Sequence, residues 1–273
     1  MKRSEKYLVF AYLLFLLGLR LSGILPAPLS TGIYVLSYLL PTLFLCRLIG
    51  GREEALAVCP PTISRRALLL SAPLFFPTVL LLFGISALTT LALGAFGLQN
   101  ETALTGNAWE IVLTYLLLPA VLEELLFRYL PLTLLAPYGK RSAVLFSALC
   151  FSLTHCDFFQ MPYALVAGIL FAALDLATES VLPSVLFHLS NNALSVLLLL
   201  FGQTAVFRCI FFWSLGALAL LSLLFIFWKR ETYRELFFSD KGAKEQLIFT
   251  KSVISLAVVC VFFAVLRLIS LST

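Results

Sequence analysis

Pro119-Ala-Val-Leu-Glu123-Glu124-Leu-Leu-Phe-Arg128 sets two carboxylates and a guanidinium inside an apolar run that extends from about 109 to 135. A run of that length can cross a bilayer as helix. A charge at the centre of such a helix costs about 3 kcal/mol on insertion scales. It is tolerated where it faces the interior of a bundle or a wet cavity. This stretch therefore predicts a helix that is both membrane-embedded and chemically occupied.

The rest of the chain agrees. Of 273 residues, 61% are hydrophobic and 12% charged. Mean hydropathy is +1.03. That composition excludes an ordinary soluble domain. Lipid forces every spanning segment to satisfy its own backbone hydrogen bonds, so helices follow. The alternating pattern of a membrane barrel is missing. The expected fold is all-α: a polytopic bundle of eight to nine transmembrane helices forming a single membrane domain over residues 1–273.

Nine apolar segments can be drawn, at about 7–25, 31–49, 67–96, 109–135, 142–157, 162–177, 181–201, 205–228 and 252–271. The fifth and sixth are short, and Pro162 and Pro183 mark breaks beside them. The first follows Lys2-Arg3 but is long for a signal peptide, and reads as a membrane helix. Lys and Arg cluster on one side if the helices alternate. Lys2, Arg3 and Lys6 precede the first segment. Arg47, Arg52, Arg65 and Arg66 flank the loop after the second, Lys140 and Arg141 follow the fourth, and Lys229 to Lys251 surround the loop after the eighth. The positive-inside rule puts the N-terminus in the cytoplasm. The net charge of +5 thus reflects loop asymmetry and calls for no nucleic acid.

Several features have bland readings. The six cysteines, Cys59 among them, are scattered and read as packing residues. Lys229–Lys251 reads either as a helix on the inner membrane surface or as a solvated loop. Asn100-Glu-Thr102 matches a glycosylation sequon. Asp157 and Asp175 read as residues near the membrane faces.

Spacing then sorts the polar groups. On an α-helix Glu124 and Arg128 share a face and can neutralise each other. Glu123 is turned about 100° away and has no local partner. Phe151 and His155 share a face, so the ring packs beneath the imidazole. His188 and Asn192 do likewise, with Asn191 nearby. These are the only two histidines in the chain. Three helices thus present polar groups that should face one another. Two hydrolytic chemistries fit. In one, Glu123 is a general base that activates water with His155, while His188 and Asn192 donate to the oxyanion. In the other, Glu123, His155 and His188 hold a catalytic zinc.

Glu-Glu-x-x-x-Arg (123–128), Phe-x-x-x-His (151–155) and His-x-x-x-Asn (188–192), in this order on separate apolar helices, resemble the CAAX-protease and bacteriocin-processing (CPBP, or Abi) family. That family of intramembrane proteases includes the type II CAAX prenyl endopeptidases. The resemblance covers about 109–200. It implies Glu123 as the water-activating glutamate assisted by His155, His188 and Asn192 as the oxyanion-stabilising pair, and Glu124 and Arg128 as supports. It also implies a membrane-associated protein or peptide substrate, prenylated or not, and a multi-pass protein in the plasma membrane of a bacterium. The competing readings are a non-proteolytic scaffold or bacteriocin-immunity protein of the same family, and a carrier. The missing internal repeat lowers the case for a carrier.

Overall fold

A backbone in lipid has no solvent to bond to, and the described residues contain helices and no strand. The computed structural model describes residues 2–26, 29–49, 60–99, 104, 106–238 and 251–272. Arg52, Cys59, the Asn100 sequon, Lys241 and Lys244 lie outside them.

All nine apolar segments are helical. They are α1 (Lys2–Ser22), α2 (Leu29–Ile49), α3 (Arg65–Gly94), a composite rod from Ala108 to Leu135, α6 (Lys140–Thr154), α7 (Met161–Thr178), α8 (Leu182–Phe201), α9 (Ala205–Trp228) and α11 (Lys251–Ser272). The rod begins as α4 (Ala108–Ile111) and ends as α5 (Leu130–Leu135). Between Lys229 and Lys251 the structure adds a short helix, α10 (Arg230–Phe238). Six helices, α2, α3, α7, α8, α9 and α11, are long and apolar enough to cross a membrane. The other three fall short for separate reasons. The start of α1 is charged, the rod is interrupted, and α6 has only 15 residues. Pro162 and Pro183 sit in the first turns of α7 and α8, where a missing N–H costs nothing.

The rod departs from the α-helical reading. Val112–Leu117, Pro119–Glu123 and Leu125–Tyr129 are wound as π-helix. Pro119 has no N–H to return to the carbonyl of Tyr115, four residues back. Asn192 Nδ2 donates to that carbonyl instead, at 3.1 Å. Pro131 likewise returns nothing to the carbonyl of Phe127, and the Ser147 hydroxyl donates there. Neighbouring helices thus supply donors where the prolines interrupt the ladder, and the wide winding persists.

The rod is the axis of the packing. On one side α1 and α2 pack together and against the rod and α5. Tyr12 of α1 stacks on Phe127 with centroids 4.9 Å apart, and Phe15 meets the same ring edge-on. On the other side α8 lies along the first half of the rod, while α6 and α7 form a close pair. Gly168 permits that closeness, because a Cβ there would stand 2.7 Å from the Ala148 Cα. Buried Ala164 and Ala172 lie one turn to either side, completing a stripe of small residues. Helices α3 and α9 form an outer layer beside α7, and α11 packs on α1 and α6.

Candidate functional site

Glu123 closes the second π stretch and Glu124 follows it. Wider winding turns the chain less per residue than an α-helix does. The two carboxylates are therefore less divergent than α-spacing implies, and one imidazole reaches both. His188 Nδ1 stands 2.7 Å from Glu124 Oε1, and its Nε2 stands 3.9 Å from Glu123 Oε2. A carboxylate only accepts, so Nδ1 carries the hydrogen toward Glu124.

The expected pair of Glu124 and Arg128 forms, with Nε 3.4 Å from Oε2 and both side chains fully buried. The guanidinium also lies 3.9 Å above the Phe151 ring, a cation–π contact. Its nitrogens have no hydrogen-bond partner among the described residues. The charge is balanced by Glu124 and the ring face. Removing either acid or ring would leave it exposed to the full cost of burial.

Phe151 and His155 pack as their spacing predicts, with rings edge-to-face at 4.7 Å and 88°. His155 Nδ1 is 2.7 Å from the Phe151 carbonyl. That oxygen accepts only, so Nδ1 bears the hydrogen and Nε2 of the neutral ring is left as an acceptor. His155 and Glu123 line one cavity of about 160 Å³, together with Phe15, Leu19, Tyr38, Phe127, Phe151 and Thr154. A larger groove of about 670 Å³ between α3, α9 and α10 is lined by apolar residues, Arg230 and Arg234. It holds no carboxylate or imidazole, so volume does not locate the chemistry here.

His188 and Asn192 diverge. The imidazole turns to the two acids, whereas the Asn192 amide bonds the Tyr115 carbonyl. Neither lines the small cavity. The backbone carbonyl of Asn191 accepts from the Ser195 hydroxyl one turn along α8. Among the described residues, no group of three His, Cys, Asp or Glu side chains is placed to hold a metal. Both Nδ1 atoms are engaged, with Glu124 and with the Phe151 carbonyl, which leaves Nε2 as the open nitrogen of each ring.

Glu123, which has no local partner, has a distant one: the Tyr38 hydroxyl on α2 donates to its Oε1 at 2.9 Å. The sequence signal was a pair of phenols, Tyr34 and Tyr38, one turn apart in an oily helix. Asp157 and Asp175, beside the ends of α6 and α7, are buried. Asp175 accepts from the backbone N–H and hydroxyl of Ser184 at 3.2 and 2.8 Å. Asp157 accepts from the Phe159 N–H and the Gln160 amide, and pairs with Arg267 at 3.1 Å. Both carboxylates fix turns that open or close a helix.

Residues 105–194 match the family model of type II CAAX prenyl endopeptidase Rce1-like proteins. That span contains Glu123, Glu124, Arg128, His155, His188 and Asn192, and leaves out α1, α2 and α3. No curated protein and no solved structure matches the chain. The match points to an intramembrane endopeptidase of the CAAX-protease type, and the long apolar helices to an integral membrane protein.

Proposed function

We propose that the protein hydrolyses a peptide bond of a membrane-associated protein or peptide, using water activated by Glu123 and His155. The observation that carries this reading is that both side chains line one small cavity inside the helical bundle. Glu123 takes a proton from the water. His155 Nε2 accepts the other hydrogen and so orients the oxygen toward the scissile carbonyl. The oxygen–carbon bond forms, the carbonyl electrons move to its oxygen, and His188 in its charged form donates to that oxyanion from Nε2. The oxyanion then re-forms the carbonyl, the C–N bond breaks with its electron pair on nitrogen, and protonated Glu123 delivers its proton to that leaving amine. The resemblance assigns Asn192 to the oxyanion as well; its amide bonds the Tyr115 carbonyl and keeps one hydrogen to donate. Glu124 and Arg128 hold His188 in place.

The clustering of Lys and Arg favours an N-terminus in the cytoplasm. The resemblance favours a bacterial plasma membrane and a substrate delivered from the bilayer.

The test uses purified protein in liposomes with a peptide ending in a farnesylated CAAX sequence, beside its unprenylated counterpart. Mass spectrometry reads the products. Cleavage that falls about 10²–10⁴-fold in Glu123→Gln supports the reading. Full activity in that variant overturns it. No cleavage of either peptide by a folded protein favours the scaffold or immunity reading. Metal content measured alongside decides the zinc version: stoichiometric zinc lost together with activity supports it.

A further inference from the structure

The segment matching the protease family starts at residue 105, yet the wall of the small cavity does not. Phe15 and Leu19 of α1 and Tyr38 of α2 line it together with Glu123 and His155. Tyr38 is only 2% exposed. Its ring is held by Phe15, with centroids 4.7 Å apart, and by Tyr34 at 5.3 Å. Its hydroxyl lies 2.9 Å from Glu123 Oε1 and 3.5 Å from the Tyr34 hydroxyl.

This geometry divides the Glu123 carboxylate. Oε1 accepts from the phenol, which leaves Oε2 as the oxygen nearer His188 Nε2, at 3.9 Å. A carboxylate on a flexible side chain could otherwise rotate and present either oxygen. The phenol removes that freedom, because its ring is clamped by Phe15 of α1 and Tyr34 of α2. The residue best placed to orient the base is thus supplied from outside the matched segment.

We infer that Tyr38 is a positioning residue for Glu123, and that the α1–α2 pair completes the catalytic cavity. This inference rests on Glu123 acting as the base. Its structural part can be tested without any substrate. The wild-type-minus-Glu123→Gln infrared difference spectrum isolates the Glu123 carboxyl band. The same difference taken in a Tyr38→Phe background should show that band shifted, because the carboxylate has lost a donor. An unshifted band overturns the inference whatever the protein cleaves.

Kinetics add the functional part. Tyr38→Phe keeps the clamped ring, so the fold should hold, with a melting temperature within about 2 °C of wild type. On the farnesylated CAAX peptide, kcat should fall about tenfold or more with KM within about twofold. Adding Tyr38→Phe to Glu123→Gln should cause no further loss. If Glu123→Gln is inactive but Tyr38→Phe keeps full kcat, the positioning role fails while the proposed chemistry stands. If Glu123→Gln is fully active, the proposed chemistry fails.

Discussion

Two pairs of acids inside this protein are satisfied in opposite ways. Asp157 and Asp175 take most of their hydrogen bonds from nearby in the chain: Phe159, Gln160 and Ser184 lie within nine positions of their acceptors. Glu123 and Glu124 take theirs from afar, Tyr38 being 85 positions away and His188 being 64. The first pair closes turns. The second pair draws separate helices onto one point beside a cavity. Local satisfaction of a buried acid lets a helix end in an apolar setting. Distant satisfaction brings α2 and α8 to the rod at adjacent carboxylates, which suits a reacting group.

The comparison breaks first at Glu123. Glu123→Gln should lower peptide cleavage about 10²–10⁴-fold while leaving the melting temperature nearly unchanged, as followed by product analysis and thermal unfolding. Asp175→Asn should do the reverse in kind, with cleavage within a few-fold of wild type. A large loss of cleavage from Asp175→Asn in a stable protein would erase the distinction.

Glu124 should behave differently from its neighbour. Glu124→Ala leaves the Arg128 guanidinium buried with only a ring face for company. Destabilisation by about 3–5 kcal/mol is expected, measured by denaturant unfolding in detergent. Replacing Arg128 with Met as well should recover part of that loss, because the uncompensated charge goes with it.

Gly168→Val sharpens the contrast through packing alone. The added carbon would stand 2.7 Å from the Ala148 backbone, so α6 and α7 must separate. A loss of about 1–3 kcal/mol is expected by the same unfolding measurement. Cleavage should fall too, since α6 carries Phe151 and leads into His155.

The smallest effects belong to the local acids. Asp175→Asn should cost about 1 kcal/mol, because an amide can still accept from Ser184. Arg267→Gln should cost about 1 kcal/mol or less in the same unfolding assay, since Arg267 is 40% exposed and Asp157 keeps two other donors.

Sequence alone determined the helical class, because the apolar runs leave lipid-exposed backbone no other way to bond itself. It determined the pairing of Glu124 with Arg128 and of Phe151 with His155, since contacts one turn apart are written in the spacing. It also gathered the polar residues that share the site, because burial makes isolated charges in oil conspicuous. The tertiary structure alone decided the π-winding of the rod, which depends on Asn192 and Ser147 reaching carbonyls opposite Pro119 and Pro131. It alone set His188 between the glutamates, bonded to Glu124 and 3.9 Å from Glu123. It alone brought Tyr38 to Glu123 as well. A phenol in an apolar helix is as easily packing as partner until the helix opposite is known. Contacts within one turn follow from chain geometry, whereas contacts between helices depend on how whole surfaces pack.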